Sequence, residues 1–297
     1  MEFSIFFFVA FLNFGNCVPD LVFVLVDDWG WANVGVHRQA SWPGNNETLT
    51  PNIDRLIAGG LLLDRHYVFK YCSPTRSALQ TGRNPIHVNV LNSPIQQHND
   101  NDVKAGFQGV ARDFTGVAEK LRGVGYSTHQ VGKWNAGMAL HRQTPSGRGY
   151  DSSLFYFDYD TWFFNGSTVN GCQKSGVVDL STNLHGGPNI PGWGLNNTFQ
   201  CSQDNQGPSA CPHGYQDDLF ISRVEEVIQN SSRTPDTPLF LFYAPHAPHD
   251  PYGSSYHPNL TLSHSFYLFI IKMQSNHSHP SSKITTLHSY RNEARAA

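Results

Sequence analysis

Residues 20–28 read DLVFVLVDD, an apolar run from Leu21 to Val26 that is closed by Asp27 and Asp28. A run without polar alternation is the pattern of a strand buried on both faces, as in parallel sheets covered by helices. In open α/β sheets, ligands sit at the carboxyl ends of such strands, which makes Asp27-Asp28 a candidate site. Downstream, Thr50 caps a helix with Pro51 at its first position, and Gly59-Gly60 closes it before a second apolar run, Leu61–Leu63, which predicts a strand. Val117–Leu121 predicts a helix ended by Gly123 and Gly125, followed by a strand over Tyr126–Val131. Asp218–Gln229 places Phe220, Val224 and Val227 on one helical face, and Pro238–Ala244 is a buried strand ending at Pro245-His246. This alternation predicts an α/β fold with a largely parallel sheet and helices on both sides. The stretch from Phe155 to Pro212 is rich in Gly, Asn and aromatics without a sustained period, and predicts an irregular excursion above the sheet beside a substrate cleft.

At 297 residues the chain can bury a sizeable core. Its 39% hydrophobic, 13% aromatic and 14% charged residues describe a globular protein, and the net charge of -3 gives no electrostatic basis for binding nucleic acid or an anionic membrane. Phe3–Leu12 is apolar apart from Ser4, too short for a membrane span and suited to a signal-peptide core, so residues 1–17 are expected to direct secretion. The alternative, a buried first strand, is weakened by the turn-prone Asn13, Gly15 and Asn16. N-x-[ST] sequons at Asn46, Asn165, Asn196, Asn230, Asn259 and Asn276 support the same compartment. With Cys17 near the expected cleavage point and Cys72 assigned to chemistry, Cys172, Cys201 and Cys211 leave an odd number for disulfides.

Between the first helix and Val117 lies CSPTRSALQTGR, Cys72 to Arg83. An ordinary helix start explains Pro74, whose missing N–H is harmless in the first turn, and leaves Cys72, Arg76 and Thr81-Gly82-Arg83 unexplained. The stretch resembles the sulfatase family signature C-x-P-x-R followed by T-G-R. Four further pieces resemble the family's pattern in order: VDDWGW with Asp27 and Asp28, VGKWNAGMA with Lys133, GRGYDSSLFYF from Gly147, and APHAPH with His246 and, beside it, His249. The wording of DDWGW and GRGYD is nearest the arylsulfatase B-like group. GRGYD itself reads as structural turn chemistry.

The resemblance implies an alkaline-phosphatase-like α/β/α sandwich that hydrolyses sulfate monoesters, aryl or glycan sulfates. Cys72 is then oxidised by the formylglycine-generating enzyme, and the aldehyde hydrate is the nucleophile: one hydroxyl attacks sulfur and the other expels sulfate. Asp27 and Asp28, with residue 72, are implied to hold Ca²⁺ or Mg²⁺, which suits hard oxygen ligands. Arg76 and Lys133 are implied to cradle the formylglycine and sulfate oxygens, and His246 to bind or protonate the leaving side. Asn135 stands where the family has histidine, and an amide there can hydrogen-bond substrate but cannot exchange a proton near neutral pH.

The resemblance covers residues 20–252, so the expected organisation is a signal peptide at 1–17, a partial catalytic domain at 18–252 and an atypical tail at 253–297, with the fold incomplete at its C-terminus. No second Asp-Asn metal pair follows His249. The apolar patch Phe266–Ile271 is too short to span a membrane. The expected location is the secretory pathway, ending outside the cell or in lysosomes. Two rival readings remain: a secreted sulfatase-like glycoprotein that binds sulfated ligands without turnover, favoured by Asn135 and the missing second metal pair, and a cysteine hydrolase using Cys72 and His246, which lacks the sequence context of known cysteine proteases.

Overall fold

The computed structural model describes residues 7–12, 18–69, 71–88, 109–111, 113–138, 140–157, 161, 163, 179–183, 190–191, 216–234 and 236–250. A seven-stranded mixed sheet forms its centre. The strands are β1 (Phe7–Leu12), β2 (Asp20–Leu25), β3 (Ser127–Lys133), β4 (Ser152–Tyr156), β5 (Ser181–Asn183), β6 (Ile190–Pro191) and β7 (Leu239–Ala244). Their order is β1-β2-β7-β3-β4-β5-β6. The four strands in the middle, β2, β7, β3 and β4, are parallel, and antiparallel strands flank them at both ends.

The pleat explains why the apolar runs are continuous. Val22, Val24 and Val26 share one core with Leu239, Leu241 and Tyr243, covered by Ile53 of α1 (Pro51–Ala58) and by Phe220, Val224 and Val227 of α4 (Gln216–Ser231). Leu25, Phe240, Phe242, Ala244 and Phe155 face the other way, against Leu79 of α2 (Cys72–Thr81) and Ala118 of α3 (Val117–Arg122). Both faces of β2 and β7 are therefore apolar and covered, and polar positions have nowhere to alternate in them.

Helix α2 starts at Cys72, which sets the cysteine at its amino end, and stops at Gly82, whose φ of 66° is the left-handed cap conformation glycine adopts without steric cost. The Thr-Gly-Arg portion is thus structural: Thr81 Oγ1 donates to the Ser77 carbonyl, Gly82 caps, and the Arg83 guanidinium sits 4.8 Å over the Phe114 ring. Arg148 of the Gly-Arg-Gly-Tyr-Asp stretch is buried and donates to the carbonyls of Val110, Ala111 and Phe114, a structural role as expected.

Several expectations require correction. Leu61–Leu63 forms no strand; Leu61 is 85% exposed, and three residues without a pairing edge cannot bury themselves. The irregular excursion is in part sheet: Phe155 and Tyr156 complete β4, and β5 and β6 extend the sheet beyond it. Separately, Phe7–Leu12, within the segment expected to direct secretion, lies as an edge strand against β2, from Phe7 opposite Leu25 to Leu12 opposite Asp20. Asn46 and Asn230 are exposed, while the other sequons, Cys17, Cys172, Cys201, Cys211, Phe266–Ile271 and the segment 251–297 lie outside the described residues. Among the described residues no helix is long and apolar enough to cross a membrane.

Gly132 has a φ of 94°, and a Cβ there would overlap the Ala244 carbonyl oxygen of neighbouring β7. Gly132→Ala is expected to destabilise the fold by at least about 2 kcal/mol, from backbone strain and the steric clash together. Chemical denaturation of the two proteins checks this, and equal midpoints would mean that β3 and β7 do not approach as described.

Candidate active site

The carboxyl ends of the parallel strands converge on one carboxylate. Asp27, just past β2, is fully buried, as are Lys133 at the end of β3 and Arg76 on α2. Lys133 Nζ pairs with Asp27 Oδ2, and Arg76 Nη2 lies 3.4 Å from the same oxygen. Arg76 Nη1 also donates to the Lys133 carbonyl at 3.1 Å. Cys72 sits one turn before Arg76 on the same helical face. Its Sγ is 3.2 Å from Asp27 Oδ1 and 3.5 Å from Lys133 Nζ. Sequence positions 27, 72, 76 and 133 thus form a single contact cluster.

Charges decide the protonation states. Burial alone would raise the pKa of Asp27, but the ammonium of Lys133 and the guanidinium of Arg76 outweigh it and hold the carboxyl well below the usual range. Burial, and then the negative Asp27, push the Cys72 thiol up to about 12. At neutral pH that sulfur is a thiol, and its nearest polar partners are a carboxylate and an ammonium.

Two residues of the site adopt the left-handed backbone region that side chains other than glycine seldom enter: Asp28 at φ 57° and Asn135 at φ 47°. Asn and Asp tolerate it best, and such strain concentrates at functional positions. Asn135 is buried, and its Oδ1 has no hydrogen-bond partner. Burial and the adjacent Asp27 charge raise the pKa of Asp28. An acidic group penalised in this way by its neighbour suits a cation beside the pair.

The two histidines are placed differently from each other. His246 is fully buried, stacked on Phe163 at 4.0 Å, with Nδ1 2.7 Å from Gln216 Oε1 and Nε2 3.1 Å from the Asp250 carbonyl. Both ring nitrogens are engaged inside the protein. Burial, followed by the neighbouring His249 and Lys133, drives its pKa well below the usual imidazole value, so it is neutral. His249 is the histidine that reaches the acidic pair, with Nε2 3.5 Å from Asp28 Oδ2 and 3.9 Å from Asp27 Oδ2.

The sequence pattern also gave no sign of the support under His246. Gln216 and Asp217 open α4, and the Asp217 carboxylate accepts the backbone N–H groups of His246 and Ala247 at 3.0 and 2.9 Å. Burial raises the Asp217 carboxyl to about 6 even though those two bonds oppose it. Polar residues at a helix start look like ordinary capping, so no sequence signal pointed to this contact. Tyr156, at the end of β4, is fully buried with its hydroxyl lacking a hydrogen-bond partner.

Among the described residues, Asp27, Asp28, Cys72 and His249 have ligand atoms all within 4.8 Å of one another, a geometry that could hold a metal ion. Carboxylates for a cation beside buried guanidinium and ammonium groups can receive an anionic ester and neutralise charge as it builds on oxygen.

The family model for sulfatases matches residues 19–282. Mouse arylsulfatase J is 31% identical over 241 residues, 80% of this chain and 33% of the relative. Human arylsulfatase A is 27% identical over 239 residues, 78% of this chain and 42% of the relative. The chain therefore spans less than half the length of these curated relatives. A solved sulfatase from Pseudoalteromonas sp., PsFucS1, superposes with a TM-score of 0.64 at 18% identity, covering 86% of this chain and 51% of that one. That likeness bears on fold: the architecture is the alkaline-phosphatase-like α/β/α sandwich.

His246 and Asp217 give opposite pH slopes. The depressed His246 contributes stability that is complete above about 6.5 and is lost as pH falls, because only the unfolded ring takes up a proton. The raised Asp217 contributes stability that is present below about 4 and is lost as pH rises through about 6. His246→Gln should therefore shrink the fall in melting temperature between pH 7 and pH 5, and Asp217→Asn should enlarge it. Melts at the two pH values decide, and parallel shifts in both variants would contradict the assignment.

Proposed function

Because the chain belongs to the sulfatase family, we propose that it hydrolyses sulfate monoesters, aryl or glycan sulfates, with formylglycine made from Cys72 by the formylglycine-generating enzyme. The carrying observation is the buried contact set in which Asp27, Lys133 and Arg76 surround residue 72 at the carboxyl edge of the sheet. The Cys72 sulfur marks where the oxygens of the modified residue would stand. As its hydrate, formylglycine supplies the hydroxyl nucleophile for sulfur. Asp27 and Asp28 would hold Ca²⁺, or Mg²⁺, which supplies positive charge toward the sulfate oxygens.

The chain's own side chains fit the remaining roles. Arg76 is fixed by the Lys133 carbonyl and its Nη2 is ion-paired with Asp27, yet its Nε has no hydrogen-bond partner, which leaves a buried donor for an anion's oxygens. Lys133 is held between Asp27 and residue 72 and would bind sulfate on the side of the nucleophile. The orphaned Asn135 oxygen would orient a substrate hydroxyl or water without taking its proton. His246, neutral where it is buried, would serve the leaving oxygen as a hydrogen-bond donor once the Asp250 carbonyl yields. The apolar N-terminal segment and the surface sequons at Asn46 and Asn230 support passage through the secretory pathway to the cell exterior or lysosomes.

A second reading, a sulfatase-like glycoprotein that binds sulfated ligands without turnover, is favoured by one observation: Asn135 cannot exchange protons at the position where the family uses histidine. Its mark would be a retained Cys72 thiol together with measurable binding of a sulfated glycan. A cysteine hydrolase is disfavoured, since the His246 nitrogens face Gln216 and Asp250 rather than the thiol, and the thiol is protonated.

Expressed in a host that makes formylglycine, the peptide carrying residue 72 is expected to lose sulfur and gain an aldehyde by mass spectrometry. The same protein should hydrolyse 4-nitrophenyl sulfate in a calcium-dependent manner. A fully retained thiol overturns the reading.

Restoring a proton acceptor should raise turnover. Asn135→His is expected to increase kcat by about tenfold or more with little change in KM, as general acid–base groups act on the chemical step. Unchanged kcat would show that Asn135 is not at the proton-transfer position.

A further inference from the structure

His249 has a ligand geometry that the calcium assignment leaves unused. Its Nδ1 lies 2.8 Å from the Asp250 carbonyl oxygen and 2.8 Å from Asp250 Oδ1. Both are acceptors, so Nδ1 is the donor towards Asp250, which turns Nε2 to the acidic pair. Nε2 lies 3.5 Å from Asp28 Oδ2 and 3.9 Å from Asp27 Oδ2, beyond direct hydrogen-bond range. A ring nitrogen beside two carboxylates, with the Cys72 sulfur close by, is a donor set that could hold a metal ion. An imidazole that gives its other N–H to a carbonyl or carboxylate is the usual support of a metal-bound histidine.

We propose that the chain with an unmodified thiol at residue 72 binds a zinc ion through Asp27, Asp28, Cys72 and His249. The proposal rests on the reading of Asp27 and Asp28 as cation ligands and requires no turnover. Metal–ligand bonds of about 2.0–2.3 Å in a tetrahedron place ligand atoms roughly 3.3–3.6 Å apart. The separations of 3.5 Å between Asp28 and His249 and 3.2 Å between Asp27 Oδ1 and Cys72 Sγ are on that scale, and all four ligand atoms lie within 4.8 Å. Lys133 and Arg76 occupy the Oδ2 side of Asp27, which leaves Oδ1, the oxygen facing sulfur, for the ion.

Ligand chemistry selects the metal. A thiolate and an imidazole suit zinc and exclude calcium, which takes oxygen ligands. On binding, the Cys72 S–H bond breaks, its proton passes to solvent, and the sulfur electron pair forms the zinc–sulfur bond, with no change of oxidation state. Residue 72 thereby sets the metal class: oxygen at that position favours a hard cation, and sulfur favours zinc.

The test uses the full chain from a host lacking formylglycine-generating enzyme, with the thiol verified by mass and metals removed by chelation. Titrated cobalt(II) should give a thiolate-to-cobalt charge-transfer band and the intense visible absorption of a four-coordinate ion, both displaced by equimolar zinc and untouched by excess calcium. Cys72→Ser should abolish the charge-transfer band, and His249→Gln should weaken zinc binding at least about tenfold. Circular dichroism reports whether each variant folds; if His249→Gln does not, the wild-type charge-transfer band still decides. Absence of that band, displacement by calcium, or equal zinc affinity in a folded His249→Gln protein overturns the proposal. Because this protein is never modified, a negative result leaves formylglycine conversion in a modifying host as a separate question, and a retained thiol there leaves the zinc result standing.

Discussion

A carboxylate with no exposed surface holds this structure together at its working edge. The Asp27 charge, removed from water, would cost several kcal/mol without compensation. Its compensation comes from Lys133 at the end of β3 and Arg76 one turn into α2, elements 106 and 49 residues away along the chain, both counted from positions 27, 76 and 133. β7 lies between β2 and β3, so its terminal loop, with His246 and His249, arrives at the same place. Strand order, helix placement and site composition are thus tied to one ion-pair cluster.

The same cluster explains why the residue type at position 72 matters. Next to Asp27 and shielded from solvent, a thiol is held protonated and is a weak nucleophile. An oxygen nucleophile at that position does not need a thiolate, and Lys133 and Arg76 remain available to the anion. Sulfur's strength there is as a metal ligand, where binding itself removes the proton. The position therefore discriminates between two chemistries by one atom, while the surrounding charges stay the same.

Much of this was legible in the sequence. The run DLVFVLVDD announced both a doubly buried strand and the acidic pair at its end. The strand ending at Ala244 was equally plain, because a short uninterrupted apolar run bounded by turn residues has to be shielded from water on both faces. Cys72, Arg76 and Lys133 converge as the motifs implied. Other features were not legible, for physical reasons. Ser152–Tyr156 contains polar Ser152 and Ser153, which are buried against neighbouring strands, so its strand character was hidden in what looked like a loop. Leu61–Leu63 had the composition of a strand but no edge to join. The different placements of His246 and His249 depend on Gln216 and Asp217, which are brought beneath the loop only by the packing of α4, a long-range contact no local pattern encodes.

If Asp27 is the organising charge, its partners must act as a unit rather than as independent contacts. A double-mutant cycle on folding stability with Asp27→Asn and Lys133→Met measures this directly. Asp27→Asn strands two buried cations and is expected to cost about 3–5 kcal/mol, whereas Lys133→Met leaves Asp27 paired with Arg76 and costs less. The double variant strands less, so a favourable coupling of about 2–3 kcal/mol is expected between the two sites. Losses that simply add, to within about 0.5 kcal/mol, would contradict the central role of the Asp27–Lys133 pair.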